Sequence, residues 1–555
     1  MASNRWRERK YYYRLIPYSA SGANEAIAGM SKFLVAVAVA AIYPAQAVDF
    51  EGESRSLGEV ASGAIGNWRI EPRIEVRETY TDNIGLARSN GAQSEFVTEI
   101  NPGISIRSSA ARSNVDVSYS LNKFFYLRDR DRDTLNHQLR ASGDVELVNE
   151  LIYLDARANI SQQAVSAFGP IGANSAVNDN NRTFRSYSIS PNFRHALGRQ
   201  ATVEARYTYS QLSSDVASST ISDSTGNRAL LKAESGPAYN DWGWGAEFVD
   251  DRISYTRSAD TSFKSLTGSL RYRITPRLFA TSSFGADKND YVTIGEKPEG
   301  AFWTLGADWR PSRRTVLTFS AGRHYFGNTY ALSFQHATRR TSWDVSYQQN
   351  LSTSRSQFAQ PLGVTLRESA ERGLRAQNPD ISDAALQDLV DARVREFVSA
   401  GLNPDAAQGI NFQTNTAFLE KKWQGLLTLD YPKSAVTLKA FNSVRDAATT
   451  GTTSVLNSSG DFALSKIIKQ SGIGSHWRYQ LSPRNSANVG LDLSRVRLVD
   501  IGRTDNLISF DLGISRKLSR SANGSLGYRH LRRDSNFDVN DHDENSFIGT
   551  FLVTF

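Results

Sequence analysis

The composition of this 555-residue chain excludes several classes of protein. Only 40% of the residues are hydrophobic and the mean hydropathy is −0.42, which is too polar for a bundle of transmembrane helices. The chain contains no cysteine, so disulfides, thiolate metal sites and covalent haem are excluded. Aromatic residues reach 10%, and a polar chain rich in them is typical of strands that are wet on one face and apolar on the other.

The net charge of +7 is concentrated at the N-terminus. Residues 1–47 contain six basic and two acidic side chains, so they account for four of the seven net positive charges. The remaining chain is close to neutral. We therefore expect no nucleic-acid partner.

The N-terminus has the pattern of an export signal. An apolar run over residues 33–42 follows Lys32 and precedes Pro44 and the small residues Ala45 and Ala47. It is much shorter than the roughly 20 residues that a helix needs to span a bilayer. The pattern predicts a signal peptide over residues 1–47, with Met30 as the true start, followed by a short periplasmic segment over residues 48–67.

From Trp68 to the C-terminus the sequence alternates between apolar and polar residues. Trp303, Leu305 and Trp309, for example, interleave with Thr304 and Asp308. Side chains on a strand point alternately to opposite faces, so each such segment has one apolar and one polar face. Soluble antiparallel sheets also alternate. The segments, however, run about 10–13 residues, which spans a bilayer when the strands are tilted by roughly 45°.

Short turns and longer polar connections follow one another along this region. About ten short turns occur, and several contain Pro or Ser beside Arg. Longer stretches such as 163–181, 212–226 and 446–460 lie between them. Outer-membrane barrels combine short periplasmic turns with longer external loops, so we predict an all-β, antiparallel up-and-down transmembrane barrel over residues 68–555, with about 22 strands and a range of about 20–24.

One stretch, residues 361–410, does not alternate. Leu386, Leu389, Val390 and Phe397 recur at helical spacing, and Gly401 and Pro404 follow them. We predict a small helical insertion in an external loop, with these four residues as its apolar face. The insertion is either a surface loop with a small core of its own, or a lid, plug or docking site for a partner.

The C-terminal strand has apolar residues at alternate positions, ending with Phe551, Val553 and Phe555. This resembles the signature by which the outer-membrane assembly machinery recognises its substrates. We therefore expect that machinery to be a partner.

Two motifs also resemble a particular family. Residues 79–83 read Thr-Tyr-Thr-Asp-Asn, and residues 543–545 read Asp-Glu-Asn just before the last strand. Both, together with Tyr-Gln-Leu-Ser-Pro-Arg at residues 479–484, are similar to motifs of outer-membrane barrels associated with PEP-CTERM and exopolysaccharide systems. The resemblance implies an exporter or porin close to polysaccharide-export proteins, and it carries over no catalytic residues.

The sequence contains none of the short motifs that commonly mark an active site. The seven histidines are scattered, and neither a Gly-x-Ser-x-Gly turn nor a phosphate-binding loop is present. We expect no enzyme, no cofactor and no metal. We expect contact with outer-membrane lipid and lipopolysaccharide.

Two functions remain: a channel or porin-like conduit for exopolysaccharide or another polar solute, and a structural or adhesion barrel that docks a partner without transport. For the conduit, the predicted lumen-lining residues are Asp116, Glu204, Arg206, Arg271, Arg273, Asp308, Arg310, Lys439 and Asp492.

Overall fold

The computed structural model describes residues 63–172, 180–215, 223–291, 298–353, 418–448, 460–537 and 541–555, except positions 66 and 258, and isolated positions between 355 and 417. The chain divides into two units, Met1–Ser56 and Leu57–Phe555, and all described residues belong to the second. The predicted signal peptide and the segment up to residue 62 lie outside the described residues.

Twenty-three strands follow one another along the chain. They are β1 (Gly63–Ile65), β2 (Trp68–Thr81), β3 (Glu95–Ala110), β4 (Ser113–Tyr126), β5 (Thr134–Val148), β6 (Ile152–Ala164), β7 (Asn181–Leu197), β8 (Ala201–Ser214), β9 (Ser224–Ser235), β10 (Trp242–Tyr255), β11 (Thr261–Thr275), β12 (Leu278–Asp290), β13 (Glu299–Ser312), β14 (Thr315–His324), β15 (Gly327–Ala337), β16 (Thr341–Ser352), β17 (Phe418–Tyr431), β18 (Ser434–Ala447), β19 (Ile467–Ser482), β20 (Asn485–Leu498), β21 (Arg503–Lys517), β22 (Ala522–Ser535) and β23 (His542–Thr554). Two short 3₁₀ turns cover Arg130–Arg132 and Gly460–Ala463.

Strands β2 to β23 form a closed antiparallel ring of 22 strands, which confirms the predicted architecture and strand number. Each strand pairs with its neighbours in sequence, and β23 returns to pair with β2 from Ser546↔Thr81 to Thr554↔Arg73. The short β1 pairs only with the start of β2. Closure leaves no sheet edge in the membrane, where an unpaired backbone group would cost several kcal/mol.

The two ends of the barrel differ. Ten short turns lie at the end that holds the start of β2 and the C-terminus. The longer connections lie at the other end, which also has one two-residue turn, between β14 and β15. We call these the periplasmic and external ends. Strands β2 to β23 run 10 to 17 residues, and most of them are longer than predicted. The excess follows from the pairing of strands beyond the membrane, where alternation of apolar residues is no longer required.

The outer surface is apolar and the inner surface is polar. Trp303, Leu305 and Trp309 of β13 are 46–59% exposed on the outside of an isolated barrel. The C-terminal Phe547, Phe551 and Phe555 share this outward parity. This is the arrangement of a barrel with lipid outside and water inside.

The seam between β2 and β23 joins the two motifs that the sequence singles out. The Asp82 carboxylate accepts hydrogen bonds from the backbone and side-chain nitrogens of Asn545, at 2.8 and 2.7 Å. Thr81 Oγ1 donates to Glu544 Oε1 at 3.0 Å. Residues at opposite ends of the barrel sequence therefore fasten the external end of the closing seam.

Asn83 belongs to this fastening and is only 1% exposed. Its Nδ2 donates to the Asp543 and Ala87 carbonyls at 2.9 and 2.6 Å, and its Oδ1 accepts from the Ala87 amide at 2.9 Å. Replacing Asn83 with Ala should leave buried backbone groups unpaired, at a cost of about 1–3 kcal/mol each. We expect the temperature at which the barrel loses its resistance to SDS to fall.

The matched control is Asn536→Ala. Asn536 makes similar hydrogen bonds, from the Thr504 amide at 2.8 Å and to the Gly502 carbonyl at 2.9 Å. These bonds link β21 and β22, which are consecutive strands that a short turn already joins. An equal fall in both variants would contradict a special role of the seam.

Candidate functional site

The inner wall of the barrel is the candidate site. The predicted lumen-lining residues lie at inward positions, between outward-facing apolar side chains on the same strands; Arg310 alone sits at an irregularity before the turn to β14. They come from β4, β8, β11, β13, β18 and β20 and so spread around the ring: Asp116, Glu204, Arg206, Arg271, Arg273, Asp308, Arg310, Lys439 and Asp492.

The structure brings some of these residues together in ion pairs. Arg206 contacts Glu204 at 3.0 Å and Asp155 of β6 at 2.8 Å. Lys439 of β18 contacts Asp492 of β20, across the intervening strand β19, at 2.8 Å. Charges of opposite sign therefore cancel locally along the wall.

The other predicted residues make separate contacts. Asp116 pairs with Arg107 at 3.1 Å. The Arg271 guanidinium lies 3.7 Å from the centre of the Phe279 ring, and Arg273 pairs with Asp241 near the periplasmic end. The wall has no single charged centre among these nine positions.

Near the external end, apolar residues occupy the inward face. Phe418, Ile468, Val496 and Leu498 lie at inward positions of β17, β19 and β20, and they are 0–5% exposed. They pack with Phe168, from the connection between β6 and β7. Because β6 and β7 are not neighbours of these strands in the ring, residues 165–172 must reach across the external mouth.

Hydrogen bonds hold this connection in place. Asp461, in the connection between β18 and β19, accepts from the Ala167 amide at 2.8 Å and from the Ser166 hydroxyl. Arg503 of β21 donates to the Phe168 carbonyl at 3.1 Å. The mouth is therefore narrowed by a connection that is bonded to the opposite wall.

Buried ion pairs surround the same region. Arg445 of β18 is fully buried and contacts Glu420 of β17 at 3.0 Å. Asp505 of β21 binds Arg503 at 2.9 Å and also Arg533 of β22. Sequence reasoning missed these groups. The available signal was the apolar side chains at inward positions next to them, because such residues need a cover that the wall itself does not supply.

The predicted insertion also contacts the inner wall. Its described positions, including Leu386, Leu389, Val390 and Val394, have a helical backbone. Leu386, Val390 and Val394 are buried and pack with Leu374. Leu389 departs from the predicted apolar face, because it is 43% exposed. It does not belong to the row in which Leu386, Val390 and Val394 follow one another at four-residue spacing. Phe397 lies outside the described residues.

Two arginines, one just before the predicted insertion and one within it, show where parts of the connection between β16 and β17 lie. Arg355, just after β16, donates to Ser224 of β9 at 3.0 Å and to Ser210 of β8, both inward residues near the external end. Arg393 donates to Asp430 at 3.1 Å, and Asp430 is the last residue but one of β17, at its periplasmic end. These contacts place parts of this connection inside the lumen, near both ends of the barrel, with the insertion's Arg393 near the periplasmic end.

Among the described residues, no helix is long and apolar enough to cross a membrane. The same residues contain no group of three or more His, Asp or Glu side chains arranged to hold a metal ion. The closed ring, its apolar exterior and its polar interior define the class of the protein: it is a multi-pass β-barrel of the outer membrane.

No known family and no curated protein matches this chain. Among solved structures it is similar to the FrpB iron transporter from Neisseria meningitidis, with 8% identity and a TM-score of 0.47 over 89% of this chain and 82% of that one. It is also similar to the siderophore receptor PirA from Acinetobacter baumannii, with 9% identity and a TM-score of 0.45 over 88% and 80% of the two chains. A BenF-like porin from Pseudomonas fluorescens matches with 9% identity and a TM-score of 0.34 over 88% and 99%.

The contact between Asp461 and the 165–172 connection should depend on pH. Burial raises the pKa of Asp461 to about 6, although Ser166, Ala167, Arg503 and Arg445 all favour its charged form. A carboxyl that binds its proton more tightly in the closed state stabilises that state most at low pH, and the stabilisation is lost as the pH rises through about 6. We expect hydrogen exchange at the Ala167 amide, corrected for its intrinsic rate, to be slower at pH 5 than at pH 7.5 by roughly tenfold.

Asp461→Asn should remove this pH dependence. Asp500→Asn is the control, because Asp500 is an exposed carboxylate that accepts a hydrogen bond from a neighbouring amide, that of Lys466. If hydrogen exchange at the Ala167 amide were instead slower at pH 7.5 than at pH 5, the predicted direction of the pH dependence would be wrong.

Proposed function

We propose that this barrel is a conduit for a polar solute and that segments of its own chain occupy its lumen. The observation that carries the proposal is a pair of contacts made by the connection between β16 and β17: Arg355 with β8 and β9, and Arg393, within the insertion, with Asp430 of β17. A ring of 22 strands is too wide for wall side chains to fill. Any obstruction must therefore come from loops or from a plug.

The charge pattern of the wall favours an uncharged or weakly charged solute. Asp492 lies between Lys439 and His476, at 2.8 and 3.1 Å, and Arg206 lies between Asp155 and Glu204. Paired charges offer many hydrogen-bonding groups but little net field. A polysaccharide suits such a surface better than a small ion does.

The resemblance to barrels of PEP-CTERM and exopolysaccharide systems agrees with this solute class. We propose exopolysaccharide, passed on by envelope export proteins, as the specific cargo. We propose no catalytic activity for the barrel. In the alternative function, docking without transport, the lumen would stay closed whatever happens to the insertion.

The test uses the contact between Arg393 and Asp430. Asp430→Asn removes the charge that holds Arg393 near the periplasmic end, and deletion of residues 366–403 removes most of the insertion. In planar bilayers we expect the single-channel conductance to be low for the wild type, higher or fluctuating for Asp430→Asn, and several-fold higher for the deletion.

Asp308→Asn is the matched control for Asp430→Asn. Asp308 is an inward carboxylate toward the same end of the barrel, on β13, and we expect its loss to leave conductance almost unchanged. Heat-dependent migration in SDS establishes that each variant is folded. Unchanged conductance in a folded deletion variant would reject the obstructed conduit and support the docking function.

A further inference from the structure

Four cations lie together on the outer face of the barrel at its external end. Lys421, Lys469 and Arg497 occupy one row across β17 to β20, with Val444 of β18 between the two lysines. Arg495 lies two residues below Arg497 on the same face. All four side chains are exposed.

The register sets like charges against each other. Lys469 lies directly opposite Arg497 in the antiparallel pair of β19 and β20. Directly opposed like charges destabilise a sheet. Arg495 donates to the neutral Asn506 at 2.7 Å. The nearby Asp446 carboxylate is 3.9 Å from a different cation, Lys466. Within the described part of the chain, no carboxylate forms an ion pair with any of the four.

Some other outward cations of the barrel lie beside carboxylates. On β10 and β11, Arg252 and Lys264 contact Asp250 at 2.9 and 3.6 Å. On β22, Arg532 contacts Asp534 at 2.9 Å. The row on β17 to β20 differs from these two sites, because four basic side chains lie together there and none of them forms an ion pair with a described carboxylate.

The row lies next to the lipid-facing band. Trp423 lies two residues from Lys421 on β17, on the membrane side, and is 39% exposed. Ile473 lies four residues from Lys469 on β19, on the same side, and is 61% exposed. A Trp at this level is typical of a membrane–water interface. The cations consequently lie at the height of the headgroups of the outer leaflet.

We propose that Lys421, Lys469, Arg495 and Arg497 bind the phosphate groups of lipopolysaccharide, whose acyl chains pack on the apolar surface below. Guanidinium groups bind phosphate through paired hydrogen bonds, and lysines add mobile charge. A bound phosphate between Lys469 and Arg497 supplies the negative charge that the protein lacks there. The site does not depend on transport through the lumen.

The experiment measures binding of bisphosphorylated lipid A to the full-length mature barrel in detergent, by native mass spectrometry or thermophoresis. Its comparison ligands are the same lipid A without phosphates, and inorganic phosphate. We expect removal of the lipid's phosphates to weaken binding to the wild type by roughly tenfold or more, and inorganic phosphate at the same concentration not to compete.

The variant is Lys469→Ala combined with Arg497→Ala, and the matched control is Arg252→Ala combined with Lys264→Ala, which removes the same charge where a carboxylate is present. We expect roughly a tenfold loss of lipid A binding in the first and little change in the second.

Equal binding by the two variants, or equal binding of the two forms of lipid A to the wild type, would overturn the proposal. Competition by inorganic phosphate at equal concentration would overturn lipopolysaccharide as the ligand. The comparison of lipids on the wild type decides the question even if the first variant does not fold.

Discussion

The backbone hydrogen bonds between β2 and β23 close the sheet, and the rest of the structure depends on that closure. An open sheet edge cannot lie in hydrocarbon, because its amides and carbonyls find no water there. Closure also makes one face of every strand an exterior and the other an interior. The pairs between Asp82 and Asn545 and between Thr81 and Glu544 fasten this seam where the strands leave the membrane.

Closing 22 strands creates a second constraint, which is the width of the interior. Wall side chains meet across a small barrel but not across one of this size. The chain fills part of this space with its own connections. Phe168 covers the inward Phe418, Ile468 and Leu498, while Arg355 and Arg393 bring the connection between β16 and β17 against the wall. The apolar residues at the mouth would otherwise face water.

Two of the barrel's charge clusters, one on each surface, are arranged differently. Inside, carboxylates and cations alternate closely enough to pair, as Arg445 and Glu420 do although Arg445 is completely buried. A buried pair of this kind costs little only while both partners are present. Outside, Lys469 and Arg497 face each other without a carboxylate. The first arrangement is complete within the protein, and the second is complete only with an anion from the surroundings.

The sequence alone determined the properties that are local to a strand. Alternation in segments such as that of Trp303, Leu305 and Trp309 assigned the two faces, and the ten short turns predicted the strand number. The lumen positions of residues such as Glu204, Arg206 and Asp492 followed from the same parity, because a period of two places every second side chain on one face. The helical spacing of Leu386 and Val390 likewise predicted their conformation.

Only the tertiary structure decided which distant residues meet. Parity does not reveal that Asp461 bonds to Ala167, that Arg355 reaches β8 and β9, or that Asp82 contacts Asn545, since these contacts depend on where each strand lies around the ring. Register decided the rest. Lys469 and Arg497 are separated by a turn and many residues of sequence, and a shift of one residue would have placed them on opposite faces.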